Sequence, residues 1–285
     1  MSVTFMNAIT PGALVTEPYT VFWLKTKGVS TAKASAIIWI NDFMWHIISV
    51  CIAIPSFIIL CTNDELMDAL LHTGEGRMFF IFICIGLGLD VLLFALYIFI
   101  GSSKHFHYAL SRVFNTFKRW FKMSYHTKPQ TRQTYLVQAT LQREAKLLLL
   151  DWKKTLATLI INGMFQIVIY SSLFASLTMV DTTISNGTNF AHIFNVANVV
   201  MVANKYLPIP NGEGLVQLEM KYLLNNITTP PPINDPNTVM NGIFVWRSFT
   251  TYLPAIIGLV GFIIFVVGCI KSVKGHKKLI KKAVR

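Results

Sequence analysis

Five ionisable residues fall in or beside runs that read as hydrocarbon-embedded: Glu17, Asp42, Asp90, Glu219 and Arg247. Charges at membrane depth are costly, so those that persist face protein or water and often act on a substrate. Singly, each also fits a structural role. Asp42 sits near the cytoplasmic end of its apolar run, within reach of the headgroup layer, and Arg247 comes early enough in its run to snorkel outward. As a set they imply a shared polar interior, because acids without basic sequence neighbours are hard to hide in lipid. Two Pro/Gly breaks sharpen this: Pro11-Gly12, and the stretch from Pro208 to Gly214 containing Pro210, Gly212 and Gly214. Each precedes a short helix. The first amides of a helix lack internal partners and carry partial positive charge. Glycine lets the backbone approach a ligand closely. Two such helix starts facing a common cavity would hold a phosphate group; the alternative is a pair of kinks in a passive bundle. Glu17 and Glu219 would meet any cationic part of the ligand.

Other chemistry finds little support. His46, His72, His105, His107, His126, His192 and His276 are scattered and suit packing or surface roles. The four cysteines form no CxxC pair, and Cys51, Cys84 and Cys269 lie in apolar runs. There is no Walker-type phosphate loop. The expectation is therefore no metal, no cofactor and no catalytic residue. A net charge of +12 suggests nucleic acid only until its distribution is seen, since the basic residues flank apolar runs.

The elements that must position these residues are membrane helices. The 285 residues are 53% hydrophobic and only 13% charged, with a mean hydropathy of +0.53; soluble domains carry about a quarter charged residues. Spans are expected at 36–60, 78–100, 155–180 and 241–270, each long enough to cross. Lysine and arginine set the orientation. The connector 101–154 holds eleven of them and the tail 271–285 seven, whereas 61–77 is acidic. This places the connector and the C-terminus in the cytoplasm of a multi-pass cell-membrane protein, and 61–77 outside. The charge rule holds only if 190–226 does not cross, so this segment is expected to re-enter as a helical hairpin broken at 208–214. Residues 1–27 resemble the same device inverted, with Gly12 and Glu17 spaced as Gly214 and Glu219 are. The fold class is all-α: four spanning helices plus two re-entrant segments in an inverted repeat. Residues 106–123 fit either an amphipathic helix on the inner leaflet or an ordinary connector.

At these breaks the sequence resembles the flippase-like membrane domain of lysylphosphatidylglycerol synthetases and their stand-alone relatives. Thr10-Pro-Gly to Glu17-Pro18, followed by Lys27-Gly-Val-Ser30, is similar to that family's first motif. Tyr206-Leu-Pro-Ile-Pro-Asn-Gly-Glu-Gly214 is close to its Pro-x-Pro-Gly-Gly-x-Gly, and Trp246-Arg-Ser-Phe-Thr-Thr-Tyr-Leu-Pro254 with Gly258 to its Trp-Arg ending. Order and spacing agree over essentially the whole chain, taken as a domain of residues 1–270. The family's acid falls on Gln217, with Glu219 two residues on, and its second motif glycine is Asn211. Fewer helices precede the first motif than is usual, so a shortened member is expected. The resemblance implies movement of a phospholipid or polyprenyl-linked headgroup between leaflets, and it adds Gln217 to the binding candidates. No aminoacyl transfer is expected from this chain. The alternatives are the membrane subunit of a lipid-modifying enzyme, with a separate transferase chain as partner, and an inactive structural protein. Residue patterns leave the oligomeric state open.

Overall fold

The computed structural model describes residues 5–6, 16–102, 112, 116, 139–140, 142–184, 187–206, 209, 212–226 and 236–283. Pro11, Gly12, Pro210 and most of the basic connector, including all but two residues of the segment 106–123, lie outside them. The described chain is all-helical: α1 (Thr16–Thr26), α2 (Thr31–Cys61), α3 (Asp64–His72), α4 (Gly74–Ser102), α5 (Trp152–Val180), α6 (Gly187–Asn204), α7 (Leu215–Asn225), α8 (Pro236–Arg247) and α9 (Leu253–Ala283).

Local chemistry sets the helix ends. Gly28, at φ +85°, turns the chain between α1 and α2, and Ser30 then caps α2 by accepting from the Lys33 amide. Asn63 caps α3 through a 2.9 Å bond from the Leu66 amide, and Asp151 caps α5. These side chains satisfy amides that have no intrahelical partner. Helices α8 and α9 run on through a π-turn, Ser248–Tyr252, in which the Leu253 amide reaches back to Ser248. Pro254, the second residue of α9, has no amide to offer the ordinary ladder.

Four stretches are long and apolar enough to cross a membrane: Thr31–Cys61, Gly74–Phe99, Trp152–Val180 and Asn237–Gly268. They match the four spans read from the sequence. Their outer faces are lined with exposed apolar side chains such as Ile58, Ile81, Met164, Val168 and Ile264, as a lipid-facing surface requires.

Helix α6 forms the core. It packs against α2, α4, α5 and α7, and Val196, Ala197, Val199 and Val200 are fully buried. Contacts along α2 fix its direction. Asn198 meets Ser56 while Tyr206, just past the end of α6, meets His46, so α6 runs antiparallel to α2. His46 is the central residue of α2, and the α6–α7 turn therefore ends halfway along it. Helix α7 then runs back, because its Tyr222 hydroxyl donates to the Ala69 carbonyl and lies 2.6 Å from Thr73 Oγ1, at the α3–α4 turn. The pattern helix, break, helix is thus present between α6 and α7, and the turn reaches the level of the middle of α2.

Helix α4 meets α6 backbone to backbone. A Cβ at Gly86 would lie 2.0 Å from the Ala203 carbonyl oxygen. Small residues allow such close approach between membrane helices. Gly86→Ala should therefore destabilise the fold by about 1–3 kcal/mol, read as a lower unfolding midpoint in detergent. Gly88→Ala, with nothing within 4 Å of the added carbon, should leave it unchanged.

Candidate functional site

Three polar groupings occupy the interior. The first gathers on Asp90, past the middle of α4 and 1% exposed. His46 Nδ1–H donates to Asp90 Oδ1 at 3.0 Å, and Ser49 Oγ to Oδ2 at 3.0 Å, both from α2. The Tyr206 hydroxyl donates to Oδ1 as well and lies 3.3 Å from His46 Nδ1. The Lys205 ammonium is 3.9 Å from the same carboxylate and stands over the Tyr206 ring. A spanning-helix acid is thereby joined to both residues at the hairpin tip. Asp42 is one helical turn before His46 and half-buried, within electrostatic range of Lys205 and of Glu17. Glu17 itself is exposed in the first turn of α1.

The second grouping lies where α7 begins. Gly212 and Gly214 take φ values of +66° and +84°, which L side chains rarely adopt. Gln217 folds back so that its Oε1 accepts from the Gly214 amide at 2.7 Å, while its Nε2 donates to Glu213. The Tyr252 hydroxyl donates to Glu213 Oε2 at 3.0 Å, and Arg247 Nε stands 3.9 Å from Oε1. Arg247 is wholly buried, so the snorkelling role open to it from the sequence does not hold; it points inward at the π-turn and donates to Thr251 Oγ1 at 3.3 Å. The neighbouring Trp246 anchors the helix by donating to Ile169 O and Ser172 Oγ of α5. π-turns are rare and frequently mark functional sites.

Glu219 and Asn204 make the third. Both are buried, and Asn204 Nδ2 donates to Glu219 Oε2 and to the Val200 carbonyl.

Among the sequence candidates, Gly212, Gly214, Gln217 and Arg247 come together at the α7 N-terminus. Glu17 and Asp42 lie near one another on the Lys205 side. Glu219 is separate from both, held by Asn204, and Pro11, Gly12 and Pro210 lie outside the described residues. Several residues of these groupings are not among the sequence candidates, His46, Lys205, Tyr206 and Glu213 above all. His46 looked like one scattered histidine among seven; its signal was a four-residue spacing from Asp42, one turn of the same face. Lys205 and Tyr206 stand just before the break and Glu213 inside it, and none has a partner visible in sequence. The expectation that no metal is bound is untested; among the described residues no group of three or more His, Cys, Asp or Glu could hold one.

A helical membrane protein with a charged, internally paired centre is the class that fold and site define. The family model described as "Lysylphosphatidylglycerol synthase TM region" matches residues 1–258, and the chain belongs to that family. It is 30% identical over 285 residues to the "Uncharacterized protein MG306 homolog" of Mycoplasma pneumoniae, covering 98% of this chain and 70% of that one. It is 28% identical over 279 residues to the "Uncharacterized protein MG306" of Mycoplasma genitalium, covering 95% and 70%. No solved structure matches.

Removing the Tyr206 hydroxyl takes a donor from a buried carboxylate. Tyr206→Phe should cost about 1–3 kcal/mol, measured by chemical denaturation of the detergent-solubilised protein, with the ring packing on His46 retained.

Proposed function

We propose that the chain binds the anionic headgroup of a phospholipid or polyprenyl-linked lipid inside the bilayer and carries it between leaflets. The family ties the chain to membrane lipid chemistry; the transport step is our reading. The observation that carries it is Arg247, a fully buried guanidinium beside the N-terminus of α7. A buried cation is costly unless something compensates it, and here Glu213 supplies one negative charge at 3.9 Å. A phosphate entering beside Glu213 would meet the guanidinium and the positive end of α7 together. Glycines at 212 and 214 leave room for it to approach the backbone.

The α6–α7 turn, level with the middle of α2, supports a hairpin that re-enters from the side of residues 61–77. Lys205 and Tyr206 on Asp90 would be its latch, and release of that latch one half of an alternating-access cycle. A matching inverted unit at 1–27, a plasma-membrane location and a cytoplasmic C-terminus belong to the same proposal. The family name favours a second reading, a membrane subunit working with a separate lipid-modifying transferase; stable co-purification with such an enzyme is its test.

Purified protein in vesicles should accelerate movement of a fluorescent anionic lipid, and Arg247→Gln should slow it by about tenfold or more, the worth of a charge-assisted hydrogen bond. No acceleration over empty vesicles, with either anionic or aminoacylated lipid, refutes transport. For topology, a cysteine at Ile209 should resist a membrane-impermeant thiol reagent from the side that labels Lys33→Cys. Ready labelling from that side means the hairpin crosses.

A further inference from the structure

Glu219 is 0% exposed and Asn204 3%. Asn204 Nδ2 donates to Glu219 Oε2, yet Glu219 Oε1 and Asn204 Oδ1 have no hydrogen-bond partner. Two buried acceptors on one hydrogen-bonded pair therefore lack a donor, and each unsatisfied acceptor in a core costs free energy. Among the described residues no cation forms an ion pair with Glu219. The titratable side chains on the elements around α7 are His192 on α6, Lys205 and Tyr206 beyond it, Glu213, Lys221 and Tyr222 on or beside α7, Arg247 ending α8, and Asp68, His72, Glu75 and Arg77 about the α3–α4 turn that Tyr222 meets. The hydrogen-bond partner that Glu219 has among the described side chains is the Asn204 amide.

One added proton removes all three difficulties. We infer that Glu219 and Asn204 form a proton-binding site, in which the Glu219 carboxyl carries its proton on Oε1 and donates it to Asn204 Oδ1. With the existing amide bond to Oε2, this closes a two-bond acid–amide ring, and the buried carboxyl is neutral. The Gly212 backbone packs closely beside Asn204 and Val216, where an added Cβ would come within 3.3 Å of Asn204 Cβ and 2.7 Å of Val216 Cγ2. The proton comes from water. Packing of α7 on α6 takes one up, and parting of the two helices releases it. The packed state binds more protons than the open one, so this contribution to stability is present at low pH and is lost as pH rises above the ordinary glutamate range.

The site requires no lipid movement and is tested without it. The infrared spectrum of the solubilised protein at neutral pH should contain a carboxylic C=O stretch that shifts in D2O, is absent from Glu219→Gln, and persists in Asp42→Asn and Asp90→Asn. In Asn204→Leu, where Glu219 is intact, the same band should move to higher frequency as the acceptor is lost; this variant carries the test if Glu219→Gln does not fold. Glu219→Gln should also flatten the fall of the thermal midpoint with rising pH. Absence of the band in the wild type would mean a charged carboxylate satisfied by a buried water, and would overturn the site. Loss of the band when sodium chloride replaces choline chloride would assign the place to Na⁺ and overturn it equally.

Discussion

A carboxylate surrounded by acyl chains has no water to turn to, and the arrangement of the helices follows from where each one finds its partners. Asp90 shows the constraint most fully. It takes donors from α2 and from the hairpin tip, with the Lys205 ammonium close by. Those partners come from segments far apart in sequence, so the acid is satisfied only once α2, α4 and the α6–α7 turn are assembled. A buried polar network of this sort is favourable when complete and expensive when any member is missing. That dependence gives the packing a definite register, where apolar side chains alone would allow helices to slide.

Arg247 obeys the same constraint with the sign reversed. Its helix is interrupted by a π-turn, which frees backbone groups that lipid could not satisfy. Short-range hydroxyl bonds surround the interruption: Ser248 Oγ donates to Phe244 O and Thr250 Oγ1 to Trp246 O. The motif Trp246-Arg-Ser-Phe-Thr-Thr-Tyr-Leu-Pro254 reads in this light as one unit. Trp246 fixes it to α5, Arg247 points inward, the hydroxyl residues cover the irregular backbone, and Pro254 resumes the helix.

The long spans were legible because an uninterrupted apolar run of twenty or more residues suits a bilayer and little else. The break at 208–214 was legible because proline and glycine act locally, through φ and a missing donor. Partnerships were not. Nothing near Asp90 in sequence names His46, Ser49 or Tyr206, because helix–helix contacts join residues dozens of positions apart and a single sequence holds no trace of their pairing. The role of Gln217 was equally hidden: it looked like a lost acid, yet it bonds the turn that opens α7. For Arg247 the sequence leaves two directions open, and it is the tertiary packing beside the start of α7 that turns it inward.

Helix α6 lies at the centre of the fold and yet is not among the helices apolar enough to cross a membrane by themselves. Asn195, Asn198 and Asn204 are all buried along it. Such a segment gains little by entering bare lipid, where its amides would stand unsatisfied. Its burial is favourable only in a cavity already walled by α2, α4 and α5, all of which precede it in the chain. Biogenesis is thus ordered by the polypeptide itself: the translocon can release the early helices to the bilayer one at a time, whereas the core must be threaded afterwards into a shell that those helices have already built.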